Sequence, residues 1–160
     1  MKNIEIERKF LVKGDWRSEA LGSSRIMQGY IAHENGRTVR IRVRDEKAVL
    51  TIKGPSDAAG MSRFEWEREI SMEDAVDLMS ICQGGFIDKV RYIVPFEGHT
   101  FEVDEFAGAN QGLVMAEVEL GSEDEEFARP EWLGDEVTGD RRYYTSHLLG
   151  YPYCMWDKNE

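Results

Sequence analysis

Six short segments of this 160-residue chain repeat a charge of one sign at every second position. They are Glu5-x-Glu7, Arg40-x-Arg42-x-Arg44, Glu65-x-Glu67-x-Glu69, Lys89-x-Arg91, Glu102-x-Asp104 and Glu117-x-Glu119. In an extended chain, residues i and i+2 share one face. Like charges so placed repel unless something of opposite sign lies between them. For one strand alone a solvated outer face is the ordinary explanation. Solvated faces usually mix signs and include Ser, Thr and Gln, whereas here acidic and basic strands occur in one small set of strands. Such an ensemble suits a polar cavity. Carboxylates supply the oxygen ligands that hard divalent cations prefer, and paired guanidinium groups match the oxygens of a phosphate.

The elements that must carry these residues read as mostly β. Period-2 patterning predicts strands over 4–12, 27–33, 38–44, 48–53, 63–70, 90–96, 99–106 and 113–120. Asn35-Gly36 and Glu97-Gly98 join neighbouring strands by short turns, so the pairing is sequential and antiparallel. Ser71-Met72-Glu73-Asp74 resembles a capping box opening a helix that Gly84-Gly85 stops. A second candidate box at Ser122 predicts a helix ending before Pro130, and further helices are expected over 140–149 and, shorter, over 15–21. With no linker, repeat or low-complexity stretch, residues 1–160 read as a single domain.

Composition narrows the function. The formal charge is -11, and it is lopsided: residues 1–80 hold 14 basic and 14 acidic side chains, residues 81–160 hold 6 and 17. Yet residues 37–53 carry six basic groups against two acidic ones, a local +4. The overall sign disfavours nucleic acid and anionic membranes as partners. No apolar run approaches the ~18 residues of a membrane span. No signal-like stretch is expected at the start. Cys82 and Cys154 have neither metal-site nor disulfide-framework spacing, so a reducing cytoplasm is the expected location. His33, His99 and His147 lack ligand spacing, and the aromatic cluster from Trp132 to Trp156 reads as packing.

Ile4-Glu5-Ile6-Glu7-Arg8-Lys9 resembles the Glu-x-Glu-x-Lys signature of the CYTH superfamily, the triphosphate tunnel metalloenzymes. The motifs that follow agree in order: Arg40-Ile41-Arg42, Thr51-Ile52-Lys53, Glu65-Trp66-Glu67, Lys89-Val90-Arg91-Tyr92, Phe101-Glu102-Val103-Asp104, Glu117-Val118-Glu119 and 136–143. The chain looks most like the short bacterial inorganic triphosphatases. The resemblance implies an eight-stranded, closed antiparallel β-barrel forming a tunnel flanked by helices, with the charged side chains pointing inward.

It also implies roles. Arg40, Arg42, Lys53, Lys89, Arg91 and Arg142 correspond to triphosphate-binding groups. Glu5, Glu7, Asp104, Glu117 and Glu119, with Glu65 and Glu67, correspond to the metal set for Mg²⁺ or Mn²⁺. Glu5 or Glu7 would orient the attacking water. Lys9 would contact phosphate or pair with Tyr30, a tyrosine shared with similar short members. Arg44, Glu69 and Arg141 match the pattern poorly. The implied activity is metal-dependent hydrolysis of tripolyphosphate to pyrophosphate and phosphate. A class IV adenylate cyclase, a thiamine or nucleoside triphosphatase, and a non-catalytic polyphosphate-binding module are the alternatives. Relatives are often dimers, which makes a homodimer the expected assembly.

Overall fold

The computed structural model describes residues 3–157. The alternating segments form strands, in chain order β1 (Ile4–Val12), β2 (Gly22–Glu34), β3 (Arg37–Arg44), β4 (Lys47–Ser56), β5 (Ser62–Ile70), β6 (Gln83–Phe96), β7 (His99–Phe106) and β8 (Val114–Glu119). Helix α1 (Met72–Met79) lies between β5 and β6, and the short strand β9 (Leu133–Glu136) and helix α2 (Thr145–Gly150) follow β8. The strand order is β5-β4-β3-β2-β6-β7-β8-β1, and β1 pairs again with β5. This is a closed eight-stranded antiparallel barrel. β1 completes it by meeting β5 through residues 4–6 and β8 through residues 7–11. β9 adds to β1 beyond the closure, pairing Phe10 with Glu136.

Turn chemistry sets the register. Asn35 and Gly36 have φ of 51° and 80°, and Glu97 and Gly98 have φ of 44° and 86°. Positive φ at both central residues gives a hairpin twist that matches the right-handed twist of the flanking strands. The resulting pairing places Gln28 opposite Arg42, Arg91 opposite Asp104 and Lys9 opposite Glu117.

The apolar cores lie on the outside of the barrel wall. Phe10, Phe101, Val103, Ala116 and Val118 point outward from β1, β7 and β8 and are covered by Trp16 and Trp132. A second cluster sets Ile87, Phe106 and Met115 under Tyr143 and Leu148 of the C-terminal segment. A third packs Ile41 and Ala48 under Ala75 of α1. Each such large side chain contributes ~1.5–3 kcal/mol on burial. Their burial against covering segments leaves the barrel interior to the charged faces.

Three expected helices differ. Residues 122–129 form turns and an extended loop. There the Ser122 hydroxyl donates to Asp124, Glu125 accepts from the Gly121 N–H, and Phe127 packs edge-on against Phe10 and Phe101. Tertiary packing of Phe127 outweighs the local capping preference. The helix expected over 140–149 is interrupted. Asp140 caps one 3₁₀ turn over 141–143, Tyr144 is extended (φ -71°, ψ 131°), and α2 then begins at Thr145. Residues 15–21 contribute only a 3₁₀ turn over 17–19.

Candidate active site

The inward faces enclose a cavity of about 300 Å³. Its wall is electrically divided. β4, β3 and β6 supply Lys53, Arg40, Arg42, Arg44, Lys89 and Arg91; with β2, which gives the cavity no charged side chain, they form one contiguous half of the barrel. β7, β8, β1 and β5 form the other half and supply Glu102, Glu117, Glu119, Glu5, Glu7, Glu65 and Glu67. Lys9 and Arg63 are the cations within the acidic half. Arg63 spends its guanidinium on the backbone carbonyls of Gly54 and Gly36.

At the seams the halves pair. Lys53 Nζ donates to Glu5 at 2.8 Å and lies 3.3 Å from Glu65. Arg40 meets Thr51 at 3.2 Å and Glu67 at 3.7 Å, and Thr51 itself donates to Glu67. On the far seam Arg91 grips Asp104 with two bonds of 2.8 and 2.9 Å and reaches Glu102 at 3.1 Å, while Lys89 donates to Asp104 at 2.7 Å. Burial alone would raise the Asp104 carboxyl, but Lys89 and Arg91 hold it well below the usual carboxylate range. The same pairing raises Arg91 further despite its burial.

Away from the seams counter-charge is scarce, with Lys9 meeting Glu117 at 3.7 Å within the acidic half. Among the described residues Arg42 and Arg44 bond neutral oxygens, Gln28 Oε1 at 2.8 Å and Ser24 Oγ at 2.7 Å. Burial, with Arg40 and Arg91 nearby, lowers the Arg42 guanidinium to about 9. Burial also lowers Lys89 to about 7, even beside Asp104. In the acidic half, register sets Glu7 directly opposite Glu119, and Glu102 opposite Glu117. Burial and then Glu117 push Glu7 up to about 8. Burial and the neighbouring acids raise Glu119 as well. Glu117 goes the other way, to about 2, because Lys9 and Arg91 outweigh its burial.

The cavity is therefore short of an anion beside β3 and short of a cation beside β1 and β8. The donor set of the acidic half, carboxylate oxygens only, fits a hard divalent cation. Among the described residues no three of these carboxylates already converge around a single point that would hold an ion.

Most of the residues expected at the site line this one cavity: Glu5, Glu7, Lys9, Tyr30, Arg40, Arg42, Lys53, Glu65, Glu67, Lys89, Arg91, Glu117 and Glu119. Two expected residues stand elsewhere. Asp104 is 3 % exposed and lies behind Lys89 and Arg91, with both carboxylate oxygens bonded to them. Arg142 lies outside the cavity lining, with half of its side chain exposed, and is paired with Asp140 at 2.8 Å. Lys9 meets Glu117 at 3.7 Å and the Tyr144 ring, while the Tyr30 hydroxyl bonds Gln28 and Thr145. Arg44, set aside on the sequence, lines the cavity, and so do Glu102 and Thr145. The i, i+2 step from Arg42 to Arg44, and from Asp104 to Glu102, was the available signal for the first two.

A closed antiparallel barrel with a cation-rich half facing a carboxylate-rich half defines a class of enclosed sites for a polyanion and a metal. The chain belongs to the CYTH domain family, which residues 3–144 match. It is 46 % identical over 150 residues to an inorganic triphosphatase of Acetivibrio thermocellus, covering 93 % of this chain and 95 % of that protein. An inorganic triphosphatase of Nitrosomonas europaea is 36 % identical over 148 residues, with 90 % and 95 % covered. The crystal structure of the inorganic triphosphatase NE1496 superposes with a TM-score of 0.65 at 33 % identity, covering 91 % of this chain and 93 % of that one. Among the described residues no helix is long and apolar enough to cross a membrane.

Proposed function

We propose that this chain hydrolyses inorganic triphosphate to pyrophosphate and phosphate inside the barrel, with Mg²⁺ or Mn²⁺. The observation that carries the reading is the paired deficit. Burial, with Arg40 and Arg91 nearby, drives Arg42 down to about 9, a cost that a bound anion would relieve. Burial and then Glu117 drive Glu7 up to about 8 within the same 300 Å³ cavity, a cost that a bound cation would relieve. A metal-bound triphosphate supplies both charges together. The relatives' names point to the same substrate.

Phosphoryl transfer depends mainly on positioning and on neutralising charge. Arg40, Arg42, Arg44, Lys89 and Arg91 would bind and orient the phosphate oxygens, with Lys53 at the seam and Lys9 within the acidic half. Asp104 would hold Lys89 and Arg91 in place from behind. Glu7, Glu117 and Glu119 would hold the cation, with Glu5, Glu102, Glu65 and Glu67 around them. The cation would neutralise phosphate oxygens and lower the pKa of a bound water. Glu5 or Glu7 would orient the water for in-line attack and accept its proton.

Phosphate release from tripolyphosphate, ATP and thiamine triphosphate, each with Mg²⁺ and with Mn²⁺, tests the proposal. Preference for tripolyphosphate and loss of turnover in chelator are expected. Release from ATP matching or exceeding that from tripolyphosphate would overturn the substrate assignment. Tight binding without turnover of any of them would make the chain a binding module.

A further inference from the structure

Behind Arg42 lies a neutral network whose polarity is fixed. Gln28 on β2 is fully buried, and its carboxamide oxygen accepts from Arg42 Nε at 2.8 Å. An arginine Nε can only donate, so the amide cannot be turned the other way. The Gln28 nitrogen must therefore face the opposite side, where it donates to the Tyr30 hydroxyl at 3.3 Å and to Thr145 Oγ1 at 3.1 Å. Those two hydroxyls also bond each other.

The Gln28 nitrogen carries only hydrogens and cannot accept, and because the two hydroxyl oxygens touch each other they share one of its N–H groups. Tyr30 and Thr145 carry two O–H protons between them, and their mutual bond uses one. Among the described residues neither hydroxyl has another protein acceptor. Both side chains line the cavity, and so does Arg42. One O–H proton is left to point into the space beside the Arg42 guanidinium.

We propose that Gln28 is a positioning residue that locks Arg42 and makes the Tyr30–Thr145 pair a single neutral hydrogen-bond donor to a phosphate oxygen of the bound anion. Thr145, the first residue of α2, thereby becomes a substrate contact, and α2 couples the C-terminal segment to the phosphate site. This inference rests on the triphosphate reading above.

Tripolyphosphate binding by calorimetry and steady-state hydrolysis with Mg²⁺ test it in four variants. Thr145→Val keeps the shape and removes one hydroxyl. The remaining Tyr30 proton can still serve the anion, but the Tyr30 oxygen loses its hold on a fixed direction. KM for tripolyphosphate is expected to rise roughly tenfold, the scale of a hydrogen bond to a charged group, with kcat changed less than KM. Thr145→Ser should recover most of that loss. Gln28→Glu keeps an acceptor for Arg42 but draws both hydroxyl protons to itself and neutralises the cation, so it should weaken binding more than Gln28→Leu does. Because Gln28 is fully buried, each variant's melting temperature is read alongside. A purely structural role would lower melting temperature and leave the calorimetric affinity of the folded fraction unchanged. Equal affinity in Thr145→Val and wild type, or equal losses in the Val and Ser variants, would overturn the inference while leaving wild-type triphosphatase activity intact. Failure of the wild-type chain to bind or hydrolyse tripolyphosphate would overturn the underlying reading, and this inference with it.

Discussion

Glu7→Gln should make the metal-free protein more stable while abolishing its activity. The Glu7 carboxyl is raised from 4.5 to about 8 by burial first and by Glu117 next, with Glu5 adding and Lys53 and Lys9 opposing. A group whose folded pKa is raised keeps its proton in the folded state while the unfolded chain loses it. Its favourable contribution is therefore complete below about 4.5 and is lost as pH rises through about 8. At about 1.36 kcal/mol per pH unit, the gap amounts to ~5 kcal/mol by pH 9. Glutamine stays neutral at every pH. Lys53 keeps Glu5 and Glu65 as partners, so the variant strands no cation. Urea unfolding in chelator at pH 4, 7 and 9 should show the two proteins nearly equal at pH 4. The variant's advantage should then grow to several kcal/mol at pH 9. Adding Mg²⁺ should stabilise the wild type and do little for the variant, because only a state that binds the ion gains. Tripolyphosphate turnover should fall at least ~100-fold, on the scale of removing one preorganised charged group. Parallel stability profiles across the pH range would refute the claim that Glu7 is a strained carboxylate awaiting a cation.

Further outcomes follow from the charges of the site and, at Gly60, from backbone geometry. Arg42→Ala removes a cation that burial and its basic neighbours disfavour; circular dichroism should show a folded protein, and tripolyphosphate hydrolysis should fall ~100-fold or more. Asp104→Asn leaves the buried Lys89 and Arg91 short of their shared anion, so urea unfolding should register a loss of ~3–5 kcal/mol. Gly60→Ala should lower stability by ~1–3 kcal/mol, because Gly60 has φ of 75° and an added Cβ would sit 2.3 Å from the Gly139 Cα.

Most of the barrel was legible because inward charges and outward apolar residues alternate on the barrel strands other than β2, so period and face could be read together. β9 escaped notice: Leu133-Gly134-Asp135-Glu136 has no alternation, and its extended form comes from pairing with β1. The first turns of β6 begin at Gln83-Gly84-Gly85, where the glycines read as a stop, and pairing with β2 carries the strand through them. The Ser122 segment has the local chemistry of a helix start, but Phe127 packs with Phe10, Phe101 and His99, and Arg129 lies over the Phe127 ring.

Within the site, strand faces were legible and depth was not. Glu102 and Asp104 share a face, yet Glu102 reaches the cavity and Asp104 is shut behind two cations. Arg44 was set aside because it matches the family pattern poorly, yet it continues the inward face of Arg40 and Arg42 and lines the cavity. Gln28 and Thr145 carry no charge and lie 117 residues apart, so no spacing rule could join them.

The proposed function divides the barrel into one half that holds a metal and a facing half that holds phosphates. A crystal structure with Mn²⁺ and tripolyphosphate, using an inactive variant such as Arg42→Ala or brief soaking of the wild type, tests it directly through the anomalous signal of manganese. That signal is expected among Glu7, Glu117 and Glu119, with phosphate oxygens against Arg40, Lys89 and Arg91. Manganese elsewhere, or phosphate bound outside the barrel, would contradict it.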